Sequence, residues 1–149
     1  GRLTLADALT YAVKEEKATK LIDIATLTGA AIVALGEKVI ATLSSDDDMF
    51  AQFDAASKLA SEKIWRLPLE KEYKKMLKSE VADLKNSPGR PAGTITASLF
   101  LEEFTSGLPW VHLDIAGPSW TGKASSLCPY GGTGAGVSLL YHFLKKSSY

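Results

Sequence analysis

Ile22-Asp23-Ile24-Ala25-Thr26-Leu27-Thr28-Gly29-Ala30 is the stretch that decides how this chain is read. With Leu21 before it, Ile22, Ile24 and Ala25 form an almost unbroken apolar run, the pattern of a strand covered on both faces. The run breaks at Thr26-Leu27-Thr28-Gly29, and Ala30 to Leu35 then reads as a short apolar helix or turn. In open α/β sheets ligands sit beyond the carboxyl ends of the strands, and a strand ending in small and hydroxylated residues leaves room for one. Gly29 lets backbone approach such a ligand, or simply makes the turn. Periodicity alone favours the plainer reading, a core strand and its turn, over a binding site.

Upstream of that strand, Leu5, Ala8, Leu9, Ala12 and Val13 recur at helical spacing and predict an amphipathic helix from Leu5 to about Glu16. Thr4 is its expected N-cap, with Asp7 in the third helical position of a capping box. Downstream, Gly36 ends the short helix and Val39 to Leu43 reads as the next strand. Ser44 to Asp48 is a helix start, where carboxylates suit the positive end of the helix dipole better than they suit a divalent metal. Phe50, Phe53, Ala56, Leu59 and Ala60 continue that helix to about Glu62, and Ile64 to Leu67 is a short strand stopped at Pro68.

Glu70 to Ser79 reads as a charged helix, with Tyr73, Met76 and Leu77 on one side and Lys71, Lys74, Lys75 and Lys78 on a solvated face. Val81 to Leu84 is a strand candidate. The loop from Asn86 to Gly93 holds two prolines and two glycines. Thr94 is expected to cap a helix running through Phe104 and ended by Gly107. Trp110 to Ile115 alternates as a strand, residues 118 to 135 read as a long loop, and Val137, Leu139, Leu140, Phe143 and Leu144 mark a closing helix before a short polar tail. Strands alternating with helices predict a three-layer α/β/α fold with a mostly parallel sheet.

The 149 residues fit a single domain, with 46% hydrophobic and 23% charged residues as in ordinary globular proteins. Seventeen basic residues balance seventeen acidic ones, so overall charge drives the chain neither to nucleic acid nor to an anionic membrane. Cys128 is the single cysteine, which rules out an internal disulfide and suits a reducing, cytoplasmic compartment. No apolar run approaches the roughly 20 residues of a membrane span, and no secretory leader is visible. The chain opens on Gly1-Arg2-Leu3 with a helical pattern at once, which leads us to expect a piece of a longer protein.

Several residues carry chemistry in principle. His112 and Asp114 lie two apart on one strand and face the same way, yet no carboxylate–histidine cluster surrounds them in sequence, so a structural pair is the better reading. His142 falls among apolar residues of the last helix. Asp23 sits inside the most apolar strand, and a buried carboxylate requires a partner. Gly131-Gly132-Thr133-Gly134-Ala135-Gly136 precedes a helix but lacks the order of a phosphate-binding loop. Cys128 lies in a loop with no sign of an activating helix start.

Three stretches together resemble the catalytic domain of the leucyl aminopeptidase (cytosol aminopeptidase) family: Gly1-Arg2-Leu3-Thr4-Leu5-Ala6-Asp7-Ala8-Leu9, Asp23-Ile24-Ala25-Thr26-Leu27-Thr28-Gly29-Ala30 and His112-Leu113-Asp114-Ile115-Ala116-Gly117-Pro118. Gly89-Arg90-Pro91-Ala92-Gly93-Thr94-Ile95-Thr96-Ala97 and Thr133-Gly134-Ala135-Gly136-Val137 match in the same order. Of the family's signature Asn-Thr-Asp-Ala-Glu-Gly-Arg the chain keeps only Gly1 and Arg2. The signature's aspartate and glutamate are ligands of the family's metal ions. The remaining ligands, a lysine and two aspartates, and a second catalytic lysine lie further upstream.

The resemblance therefore implies the C-terminal portion of a metallo-aminopeptidase catalytic domain: residues 1–149 as a single partial domain that provides no metal ligand itself. It implies release of N-terminal amino acids from peptides by two divalent ions (zinc, manganese or magnesium) in the complete enzyme. Arg2 would be the catalytic residue, holding a bicarbonate that acts as general base, a task for which a planar guanidinium fork is suited. The backbone around Leu27 and Gly29 would bind the peptide, and Thr26, Gly29 and Ala116 would line the pocket for its first side chain. Asp23 and Asp114 match no metal ligand. The family forms hexamers, for which Trp120 and the loops at 86–93 and 118–135 are candidate contacts.

Two alternatives accompany this expectation. One is a non-catalytic truncated module that keeps an assembly surface and binds partner subunits. The other, DNA binding as in some bacterial members, gains no support from a net charge of zero. Without upstream strands the sheet should expose an apolar edge, so the isolated chain is expected to aggregate or oligomerise.

Overall fold

The computed structural model describes residues 1–126 and 128–147. Helix α1 (Arg2–Lys14) leads into β1 (Leu21–Ala25), α2 (Gly29–Leu35), β2 (Ile40–Ser44), α3 (Asp47–Ala60) and β3 (Ile64–Arg66). A 3₁₀ helix (Lys71–Leu77), α4 (Gly93–Glu102), β4 (Trp110–Asp114) and α5 (Val137–Ser147) follow, with a small ribbon of β5 (Trp120–Thr121) and β6 (Gly131–Gly132) before the last helix. The main sheet has the order β1-β4-β2-β3. β1 pairs parallel with β4 and β2 parallel with β3, while β2 meets β4 antiparallel. The sheet is mixed and mostly parallel.

Alternation along β4 divides the core. Trp110 packs with Leu21, Leu9, Leu77, Leu99 and Leu101 on the face covered by α1, α4 and the 3₁₀ helix. Val111 and Leu113 turn to the other face, with Ile40, Met49, Phe53 and Leu139 under α3 and α5. There Phe53 and Phe143 stack with centroids 4.1 Å apart, joining the two helices. Helices on both faces give the expected three-layer α/β/α arrangement.

Local capping explains most boundaries. The Asp46 carboxylate accepts from the Met49 N–H at 2.6 Å and starts α3, while Asp47 pairs with Arg66, so the acidic run does structural work. The Glu62 carboxylate reaches the opposite end of the chain and accepts from the N–H groups of Gly136 and Leu139, each at 2.7 Å, closing the start of α5. The glycine-rich stretch before α5 is thus a turn into a helix.

The structure corrects several sequence expectations. α1 begins at Arg2 with Gly1 as N-cap, so Thr4 and Asp7 lie inside the helix and form no capping box. α3 ends at Ala60, two residues short of Glu62, because Ser61 takes a left-handed conformation. The charged segment after Pro68 is a 3₁₀ helix over Lys71–Leu77, and its Lys74 is not simply solvated: it bridges Glu102 and Glu103 at the end of α4. Residues 81–84 form bends and no strand. α4 starts at Gly93 behind a left-handed Ala92, which places Thr94 within the helix instead of at its cap. Segment 118–135 contains the β5–β6 ribbon. The last two residues of the polar tail, 148 and 149, lie outside the described residues.

Candidate functional site

Parallel pairing sets Ala25 opposite Asp114, so β1 and β4 end side by side at one rim of the sheet. The turn at 26–28 leads from β1 into α2. Thr28 caps that helix, its Oγ1 accepting from the Ala31 N–H at 3.2 Å. The same hydroxyl donates to Asp114 Oδ2 at 2.6 Å and lies 2.8 Å from Thr94 Oγ1 at the start of α4. Asp114 Oδ1 accepts from the N–H groups of Leu27 and Ala116, both at 3.1 Å. Gly93 is needed where α4 meets α2, since a Cβ there would stand 2.9 Å from the Ala30 Cβ.

Above this framework lies a cleft of about 650 Å³ walled by Arg2, Leu27, Gly29, Ala30, Arg90 and Ile95 among others. Arg2 enters from the first turn of α1 and donates through Nη1 to the Asn86 carbonyl of the proline-glycine loop. Burial lowers the Arg2 pKa from its ordinary value, and the negative charge of Asp114 offsets part of that effect. Two arginines, Arg2 and Arg90, thus stand in the wall of a mainly apolar cleft, and a guanidinium so placed suits a small planar anion or a carboxylate-like group.

The cleft brings together three of the residues singled out from sequence: Arg2, Leu27 and Gly29. Thr26 is exposed and Ala116 half-buried at the adjoining strand ends, and neither lines the cleft. Asp23 has the partners its burial required, accepting from Trp110 Nε1 and meeting His112 Nδ1, each at 2.6 Å. Sequence reasoning missed the Thr28–Thr94–Asp114 network. The argument applied to Asp23, that a buried carboxylate must find donors, would have found Asp114 as well. Among the described residues no three His, Cys, Asp or Glu side chains converge on a common point.

The likeness to known proteins runs along nearly the whole chain. A model of the cytosol aminopeptidase family, catalytic domain, matches residues 1–141. A probable cytosol aminopeptidase of Clostridium perfringens is 52% identical over 146 residues, covering 98% of this chain and 30% of the relative. Another, from Syntrophotalea carbinolica, is 51% identical over 146 residues, covering 98% of this chain and 29% of the relative. Among solved structures, the bottromycin maturation enzyme BotP in complex with Mn superposes with a TM-score of 0.95 at 40% identity, over 100% of this chain and 34% of that one. A tomato leucine aminopeptidase mutant superposes with a TM-score of 0.90 at 42% identity, over 97% of this chain and 28% of that one. The chain spans about 30% of the length of the curated relatives it matches. With a catalytic-domain model matched over residues 1–141 and half of all positions identical to the curated relatives, the chain belongs to the cytosol aminopeptidase family.

Proposed function

We propose that this chain is the C-terminal portion of a metal-dependent leucyl aminopeptidase catalytic domain, releasing N-terminal amino acids from peptides as part of a longer polypeptide. The observation that carries the reading is the convergence of Arg2 and the β1–α2 turn on one cleft at the carboxyl rim of the sheet. The described residues do not by themselves fit a dimetal centre, and the role derived for them is binding and positioning.

In this reading the backbone of Leu27 and Gly29 holds the extended peptide, with Thr26 and Ala116 flanking the pocket for its first side chain. The Leu27 N–H is already committed to Asp114, so Leu27 offers the peptide its carbonyl. Arg2 holds a bicarbonate against the reacting end with its guanidinium fork. Apolar walls at Leu27, Val33 and Ile95 keep water from competing for those groups. Two divalent ions, zinc with manganese or magnesium, supply Lewis acidity when bound by segments outside this sequence. A homohexamer in the cytoplasm completes the proposal. No helix among the described residues is long and apolar enough to cross a membrane.

The test is hydrolysis of leucine p-nitroanilide by the complete polypeptide containing this sequence, loaded with zinc and manganese. Release of leucine that rises with added bicarbonate, beside no release by residues 1–149 alone, is the expected result. Failure of the loaded polypeptide to cleave overturns the function. Cleavage by residues 1–149, free of contaminating enzyme, overturns the view that the metal ligands lie elsewhere.

A further inference from the structure

Asp114 is fully buried, yet each of its hydrogen-bond donors belongs to the strand-end turns around the cleft and none to the middle of the sheet. Oδ1 fixes the main chain of Leu27 and, two residues on from Asp114 itself, of Ala116. Oδ2 takes the Thr28 hydroxyl, which in turn meets Thr94 and the first turn of α2. One side chain thereby ties together the end of β4, the turn leaving β1, the start of α2 and the start of α4.

We propose that Asp114 is a positioning residue for the aminopeptidase reaction: through its hydrogen bonds it sets the Leu27 main chain for the peptide, without touching the peptide itself. The assignment rests on the function proposed above. It differs from a stabilising role in the core because its bonds to Leu27 and Thr28 end on residues that line the cleft, so disturbing them changes substrate affinity beyond any change in the folded fraction.

Two substitutions separate the hydrogen bonds of Asp114 from its charge. In Asp114→Asn the amide oxygen keeps the two N–H groups. Its NH₂ donates to Thr28 Oγ1, which turns its own hydrogen toward Thr94, so hydrogen bonding persists while the charge is lost. In Thr28→Val the charge stays and the bridge to α2 and α4 is lost.

Steady-state kinetics on leucine p-nitroanilide read both in the metal-loaded complete polypeptide. Thr28→Val should raise KM about tenfold with kcat changed less than about threefold, the pattern of lost binding shared by ground and transition states. Asp114→Asn, which keeps those hydrogen bonds, should leave KM within about threefold. Should Thr28→Val fail to fold, Thr94→Val removes only the far hydroxyl and should give a smaller rise in KM of the same kind.

A wild-type KM in folded Thr28→Val and Thr94→Val overturns the assignment. So does activity that falls only in proportion to the folded fraction seen by circular dichroism. A wild-type polypeptide that does not cleave overturns the function, and this assignment with it. A wild type that cleaves beside variants indistinguishable from it overturns the assignment alone.

Discussion

Asp23 and His112 face each other across the β1–β4 pair, Oδ1 to Nδ1 at 2.6 Å, both buried in the face that α1 and α4 cover. The second Asp23 oxygen accepts from Trp110 Nε1, so one carboxylate joins two residues of β4 spaced by the strand period of two. Asp23→Ala leaves the indole N–H and the imidazole without that partner inside the core. We expect a loss of about 3 kcal/mol of stability, read by urea unfolding of the full chain at constant m-value.

Lys74 ties the 3₁₀ helix to the end of α4 through Glu102 and Glu103. Burial works to lower its pKa, but its hydrogen bonds to the two carboxylates outweigh burial and raise it above the ordinary 10.5. A lysine whose pKa is raised by folding stabilises fully below the unfolded value, and that contribution fades as pH climbs through the folded one. Lys74→Met should therefore cost up to about 1 kcal/mol at neutral pH, a figure already reduced for solvent screening. Thermal melts in the alkaline range above 10.5 should show the difference from wild type shrinking.

At Gly117, just past β4, a Cβ would stand 2.2 Å from the Gly36 carbonyl oxygen, which is backbone and has no rotamer by which to escape. Gly117→Ala should cost about 1–3 kcal/mol, as overpacking does elsewhere. Calorimetry should show the lower melting temperature. Gly29, with nothing near its Cβ direction, should tolerate alanine without comparable loss.

Glu62 holds α5 by two charge-assisted bonds to its first N–H groups. Glu62→Ala should destabilise by about 1–2 kcal/mol, and Glu62→Gln, which keeps one acceptor, by about half of that. Hydrogen exchange should localise the loss to the amides at 136–140.

Arg2→Lys keeps a positive charge on the cleft wall but removes the fork that grips a planar anion with two parallel bonds. In the complete, metal-loaded polypeptide kcat should fall by about tenfold or more while the melting temperature moves little. Bicarbonate should no longer accelerate the reaction.

Much of the frame was legible because periodicity and burial agree there. The apolar run at 21–25 is β1, the alternation at 110–115 is β4, and Asp46 caps α3 from within the acidic run that sequence marks as a helix start. Three things were hidden for physical reasons. Strand polarity is set by long-range docking, so the antiparallel β2–β4 junction leaves no local pattern. Val81 to Leu84 has strand-like composition but pairs with no strand of the sheet. Thr28 and Thr94 resemble ordinary caps in sequence, and only their convergence on Asp114 gives them a second task. Arg2, Leu27 and Gly29 were reached through family resemblance, since nothing in their spacing brings an arginine at the chain's start to a turn at 26–29.

The pairing of β1 with β4 also sets a timetable. Asp23 and His112 are 89 residues apart in sequence, whereas β2 and β3 are joined by the single crossover helix α3. During synthesis the turn at 26–29 leaves the ribosome well before residue 114, and only then does its main chain acquire the Asp114 carboxylate. Until that moment α1, β1 and α2 have no finished surface to rest on, and long-range strand pairing of this kind is slow. The cleft cannot be finished before β4 is made, so its assembly waits on distant residues in a way its upkeep does not.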